Sequence, residues 1–217
     1  MSKKKIESSK APNEAKGFDE AVDALRRGDV IVFPTETLYG LGADALNDEA
    51  VEKVFQLKGR DPRNPIPVLV ADLEMLNALI AEVPPVAQKL MECFWPGPLT
   101  LVLPARRGIP KPLRNASGGV GVRISSHPIA TQLVKALGRP LTATSANPSG
   151  KKPARDPLEA KSYFAGKIEV FLDGGTLTSK SGSTVVDVTG DTIKFIREGE
   201  IGASELRGVL GKENSDD

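Results

Sequence analysis

The chain has 217 residues, 40% hydrophobic and 26% charged. That balance excludes wholesale disorder and predicts a core that buries roughly 70% of the unfolded chain's surface. Lys plus Arg number 29 against 28 Asp plus Glu, which excludes a globally basic nucleic-acid binder but leaves room for a local basic patch. One cysteine, Cys93, and one histidine, His127, exclude an internal disulfide, a zinc ribbon and a His-based metal cluster.

In chain order, residues 1–16 carry five Lys and two Glu and read as a disordered basic arm. They lack the apolar stretch of a secretory signal, and no apolar run approaches the ~18–20 residues of a membrane span, so the expectation is a cytoplasmic chain with no membrane partner. Phe18, Ala21, Val22 and Leu25 recur at helical spacing and stop at Gly28. Residues 30–33 form a short apolar run, read as a buried strand. Ala50, Val51, Val54 and Phe55 mark a second helix with Asn47 or Asp48 as its N-cap. A strand over 67–70 precedes helices at about 72–81 and 85–94, the second opened by Pro84-Pro85. Strands over 99–103 and 120–124 flank a Pro/Gly/Arg loop. A helix over 128–137 ends at Gly138, followed by a strand over 141–144. A helix at about 157–164 leads to a strand over 168–172, and residues 184–188 and 192–197 read as a hairpin joined by Thr189-Gly190-Asp191. A last helix spans about 203–210, and 211–217 reads as a frayed acidic tail. One α/β domain over 17–210 is expected, with helices on the faces of a sheet that the closing hairpin makes mixed.

The segments that fit the packing pattern badly are polar loops directly after buried strands, where α/β sheets place their sites. The first is Pro34-Thr35-Glu36-Thr37-Leu38-Tyr39-Gly40-Leu41-Gly42, whose hydroxyls suit a polar small molecule and whose glycines permit close backbone approach. The plainer reading is a tight turn whose Thr and Glu satisfy local backbone groups. The second is Lys58-Gly59-Arg60-Asp61-Pro62-Arg63-Asn64-Pro65. Two cations on one side of an extended segment suit phosphate, while a solvated helix C-terminus is the plainer reading. The third is Thr142-Ala143-Thr144-Ser145-Ala146-Asn147-Pro148-Ser149-Gly150, whose small donors can line an anion or nucleotide site and which reads equally as an ordinary turn. The fourth is Ser181-Gly182-Ser183-Thr184, with Arg197 at the end of the hairpin partner. No G-x-x-x-x-G-K-[ST] loop exists and Gly40-Leu41-Gly42 is not completed to G-x-G-x-x-G, so a nucleotide would have to be held by side chains on separate loops. Trp95, Cys93 and His127 read as a core residue, a buried thiol and a turn residue.

Taken together, these loops resemble the YrdC-like family over about residues 18–207. The resemblance rests on PTETLYGLG at 34–42, Lys58-x-Arg60, WPGPLT at 95–100, Gly121-Val122-Arg123, Ser145-Ala146-Asn147 with Ser149-Gly150, STVVD at 183–187, and Arg197 two before Gly199. It implies an open, twisted, mixed α/β sheet with helices on its faces and a concave basic face as the site. The implied activity is that of the family's enzymatic members: L-threonine, bicarbonate and ATP give threonylcarbamoyl-AMP and pyrophosphate. A partner transferase then passes the threonylcarbamoyl group to tRNA.

Carried over residue by residue, the resemblance makes Lys58, Arg60, Asn64, Ser145, Asn147 and Arg197 ATP contacts, with Lys58 and Arg60 supplying charge to the reaction. Thr35, Arg123, Ser183 and the backbone at Ala143 become the threonine pocket. Mg²⁺ would arrive on the ATP, with no dedicated metal site. The chain departs from the family pattern at four positions. Leu69 stands where a longer branch carries His, Gly119 where Thr is common, Asp61 where Pro is usual, and Glu198 replaces the Pro of Arg-Pro-Gly. The extra C-terminal domain of that longer branch is absent from the sequence. Asp61 is expected to offset part of the Arg60 charge. Two other readings remain open at this point. One is a tRNA or double-stranded RNA-binding module using Arg106, Arg107, Lys111 and Arg114 with Lys151, Lys152 and Arg155. The other is a nucleotide-binding paralogue without this activity.

Overall fold

The computed structural model describes residues 17–190 and 192–211. The readings made for residues 1–16, Asp191 and 212–217 lie outside the described residues. Seven α-helices are described: α1 (Phe18–Arg26), α2 (Asp48–Lys58), α3 (Leu73–Leu79), α4 (Pro85–Phe94), α5 (Pro128–Leu137), α6 (Pro157–Phe164) and α7 (Ala203–Leu210). Their starts are set by local chemistry. The Asn47 side chain accepts from the Ala50 N–H, Asp72 from Met75 and Asp156 from Glu159, each satisfying a backbone donor that the first helical turn leaves open. Proline occupies the first turn of α4, α5 and α6, where no N–H is needed. Glu198, the departure from the family's proline, accepts from the Ala203 N–H at 2.9 Å and thereby caps α7.

Among the described residues nine strands form two sheets. β1 (Ile31–Phe33), β2 (Gly40–Gly42) and β7 (Thr144–Ser145) make a small antiparallel sheet in that order. β3 (Val68–Leu69), β4 (Leu99–Pro104), β5 (Gly119–Arg123), β6 (Leu141–Thr142), β8 (Thr184–Asp187) and β9 (Lys194–Arg197) make a six-stranded sheet ordered β6-β3-β5-β4-β8-β9. The latter is mixed, as expected: β3–β5 and β4–β8 are parallel, and the remaining pairs are antiparallel.

Three strand readings are corrected. The segment 40–42, read as loop, is a strand. The strand expected over 141–144 splits between the two sheets: residues 141–142 pair with β3 and 144–145 with β2, while the N–H of Ala143 between them donates to the Pro67 carbonyl at 2.9 Å. The strand expected over 168–172 makes only a bridge, Phe171 to Val32, although the Val32 N–H donates to the Val170 carbonyl and the Leu172 N–H to the Val32 carbonyl.

Successive strand residues feed two cores. Val32 and Val68 join a cluster with α2, α3, α4 and α7, whereas Ile31, Phe33 and Leu69 join α1 and α5. Leu69 is 1% exposed there, so the departure from histidine places an aliphatic residue in the core. Gly40 and Gly42 are required by this packing. A Cβ on Gly42 would come within 2.8 Å of the Phe33 ring, and one on Gly40 within 3.1 Å. The close approach served by these glycines is therefore to Phe33, whose burial contributes roughly 2–3 kcal/mol. Cys93, read as buried, is exposed on the outer side of α4.

Candidate active site

The junction of the two sheets is also where the polar loops meet. Leaving β1, the chain turns tightly because the Thr35 hydroxyl accepts from the Thr37 and Leu38 N–H groups, both at 3.2 Å, and donates to the Leu38 carbonyl at 2.7 Å. The turn sets Thr35, Thr37 and Leu38 along one wall of a cavity of about 280 Å³. Ala143, Thr144 and Ser145 from the crossover form a second wall, and Gly182, Ser183, Arg60, Arg123 and Arg197 close it. A second cavity of about 380 Å³ adjoins it, sharing Arg60, Pro67 and Arg197 and lined further by Asn64, Asn115, Gly119, Val102, Val185 and Ile196.

Thus Thr35, Arg123, Ala143, Ser183, Arg60, Ser145 and Arg197 share one cavity, and Asn64 lies in its neighbour. Lys58 and Asn147 do not line either cavity; they hold its wall from behind. Lys58 is 3% exposed and its ammonium donates to the carbonyls of Ser145 (2.6 Å) and Asn147 (2.9 Å) and to Asn147 Oδ1 (3.3 Å). The Asn147 amide donates to the carbonyls of Pro148 and Lys151, and its Oδ1 accepts from the Ser145 hydroxyl. Burial, with Arg60 nearby, lowers the Lys58 pKa to about 7.

Lys58 and Arg60 do not lie side by side on an extended segment. Lys58 is the last residue of α2, and Gly59, with φ 58°, occupies the left-handed region and turns the chain between them. Nor does Asp61 offset Arg60. Asp61 takes a forked ion pair from Arg63, the nearest contact being 2.6 Å, and this holds its carboxyl down at about 2. Arg60 instead donates to the carbonyls of Asn64 (2.7 Å) and Pro65 (3.2 Å).

The three arginines differ in their surroundings. Arg197 donates to the Ser183 carbonyl at 2.8 Å and its hydroxyl at 3.1 Å, and burial together with Arg123 and Arg60 lowers its pKa. Ser183 in turn shares a hydrogen bond with Thr100. Arg123 is buried, and its Nη1 donates to Glu36, which also accepts from the Ser125 hydroxyl. Burial lowers the Arg123 pKa while Glu36 opposes that shift. Glu36, read from the sequence as satisfying backbone groups of its own turn, is instead the partner of Arg123, and Ser125 carries no role in the sequence reading. Their signal was spacing: Ser125 lies two beyond Arg123 in extended chain, and so on the same side.

Tyr39 is fully buried, donates to the Gly175 carbonyl at 2.7 Å and accepts from the Gly174 N–H at 2.9 Å, tying down the segment that leads to Ser183; burial pushes its pKa to about 12. His127 precedes α5 and makes no side-chain cap. At Gly119, the space a side chain would fill is taken by the Thr189 and Val102 methyl groups, each 2.7 Å from an ideal Cβ. No group of three or more His, Cys, Asp or Glu side chains among the described residues is placed to hold a metal ion, and no helix among them is long and apolar enough to cross a membrane.

The sequence model of the Sua5/YciO/YrdC family, described as telomere recombination, matches residues 23–199. The chain belongs to this family. It is 40% identical over 192 residues to the threonylcarbamoyl-AMP synthase of Pyrococcus abyssi, covering 88% of this chain but only 56% of that protein. It is 36% identical over 197 residues to a putative threonylcarbamoyl-AMP synthase of Mycobacterium tuberculosis, covering 91% and 90% of the two chains. Among solved structures, P. abyssi Sua5 complexed with L-threonine superposes with a TM-score of 0.86 at 40% identity over 89% of this chain and 57% of that one. Escherichia coli YciO superposes with a TM-score of 0.80 at 30% identity over 88% and 93%. The chain thus spans little more than half the length of the P. abyssi family member and nearly all of the shorter relatives.

Proposed function

We propose that this chain is an L-threonylcarbamoyladenylate synthase, a nucleotidyltransferase acting in the cytoplasm on L-threonine, bicarbonate and ATP. The observation that carries the reading is the meeting of Thr35, Arg123, Ala143 and Ser183 with Arg60, Ser145 and Arg197 around one small cavity beside a second, more apolar one. The names of its relatives and the L-threonine complex of P. abyssi Sua5 support it.

In the reaction, the threonine amine takes the carbon of bicarbonate to give a carbamate and water. A carbamate oxygen then bonds to the α-phosphorus of ATP as the bond to the β-phosphate oxygen breaks and pyrophosphate leaves. This chemistry needs alignment and positive charge for the leaving group more than covalent help. Arg60 and Arg197 would face the triphosphate, with Ser145 and Asn64 beside it; Lys58 and Asn147 would act through the wall they hold. Arg123, Thr35, Ser183 and the Ala143 backbone would seat the amino acid. Mg²⁺ would enter with ATP, held by the phosphates. The product would pass to a threonylcarbamoyl transferase that modifies tRNA.

The test is pyrophosphate release from ATP with bicarbonate and Mg²⁺, comparing L-threonine, L-serine and no amino acid. Release that depends strongly on threonine is expected. ATP binding without such release would refute the assignment.

A further inference from the structure

The cavity described above must sort two kinds of anion. Arg60, Arg123 and Arg197 all line it, so an amino-acid carboxylate and a polyphosphate would compete for the same three guanidinium groups. The three are not electrostatically equivalent. Among the described residues neither Arg60 nor Arg197 has an acidic partner: Arg60 is held by two carbonyls, and Arg197 by the carbonyl and hydroxyl of Ser183. Arg123 alone is ion-paired, to Glu36, with the two side chains 6% and 14% exposed. Glu36 itself is fixed by the Ser125 hydroxyl, which also accepts from the His127 N–H at 3.2 Å. It does not line the cavity and so stands behind the guanidinium, occupying Nη1; among the described residues no other nitrogen of that guanidinium carries a hydrogen bond.

We propose that Glu36 is a specificity-determining residue that neutralises Arg123 and thereby divides one cavity into an end for a net-neutral amino acid and an end for polyphosphate. The assignment of the two ligands rests on the function proposed above; the division of charge does not. At the Arg123 end the pair has no net charge. A zwitterion keeps a directed hydrogen bond to the guanidinium there, while a multiply charged phosphate gains little from it and meets the Glu36 carboxylate at close range. At the Arg60–Arg197 end two unpaired cations favour phosphate. A buried ion pair serving stability alone would have no reason to select among ligands.

The experiment is calorimetric titration of the full chain with L-threonine and with inorganic pyrophosphate, each alone and in the presence of the other, for wild type, Glu36→Gln and the double variant Glu36→Gln/Arg123→Met. In wild type the two probes bind independently. Glu36→Gln frees the Arg123 charge: pyrophosphate binds at least about tenfold tighter, about 1.4 kcal/mol, and now displaces threonine. The double variant removes both charges, so threonine binding is lost and pyrophosphate returns to its wild-type affinity. Should Glu36→Gln not fold, Glu36→Ala, which also removes the carboxylate charge, is read the same way. Unchanged pyrophosphate affinity and unchanged independence in a folded Glu36 variant overturn the proposal. A wild type that ignores threonine, with a Glu36→Gln variant that gains pyrophosphate affinity, overturns the threonine assignment but supports the division of charge.

Discussion

Replacing Lys58 with Met is expected to change the pH dependence of stability and to make the wild-type and variant curves cross. The unfolded lysine titrates at its ordinary 10.5, whereas burial holds the folded one at about 7. Between those values the unfolded chain carries a proton that the folded chain has released, so unfolding takes up a proton and wild-type stability rises with pH across that window. The full interval is worth about 5 kcal/mol. Stability is therefore lowest below pH ~7, where the ammonium must be buried charged.

Methionine keeps the apolar stem and removes this slope, but it also removes the donor. The Ser145 carbonyl retains the Asn147 N–H and Asn147 Oδ1 retains the Ser145 hydroxyl, which leaves the Asn147 carbonyl without the Lys58 donor. One orphaned buried acceptor costs about 2 kcal/mol. The variant is then less stable than wild type at pH 10, more stable by about 3 kcal/mol at pH 6, and equal to it near pH ~9. Urea denaturation at pH 6, 8 and 10 measures this directly. Parallel curves for the two proteins would refute the reasoning, because they would mean that Lys58 titrates alike in both states.

Two further outcomes are expected. Thr184→Val removes a hydroxyl that donates to the Ile201 carbonyl at 2.6 Å and accepts from the Gly199 and Ile201 N–H groups. Three lost bonds at about 1 kcal/mol each, offset by under ~1 kcal/mol for the added methyl, leave the variant about 2–3 kcal/mol less stable; Thr184→Ser loses only about 1 kcal/mol, and a Val variant as stable as wild type in a thermal melt would contradict the account. Arg60→Ala lowers pyrophosphate affinity at least about tenfold, whereas Asp61→Ala, whose exposed carboxylate pairs with Arg63, leaves it within about twofold; a rise in affinity for Asp61→Ala would restore the idea that Asp61 screens Arg60.

Much of the secondary structure was legible locally, because capping and periodicity act within a turn or two. Asn47, Pro85, Pro128, Gly138 and Pro157 mark helix ends whose bounds the fold reproduces to within a residue or two. The same local logic misread the strand over 141–144. Its residues belong to two sheets because β3 and β2 approach it from different places in the chain, and no property of the residues 141–145 themselves states that. The segment 40–42 looked like a ligand-binding glycine loop. Its glycines answer to the ring of Phe33, on a strand that turns back against it.

At the candidate site, composition and order supply the inventory: which loops carry hydroxyls, amides and cations, and that one histidine and one cysteine leave the chemistry to positioned charge. Tertiary structure alone decided which of those groups face the cavity. Lys58 and Arg60, two apart, part company at Gly59, so that one braces the wall and the other lines it. Arg123 and Glu36, 87 residues apart, become a pair. The physical reason is that a side chain's charge is a local property of the residue, whereas its burial, its counter-ion and its direction are set by elements that only folding brings together.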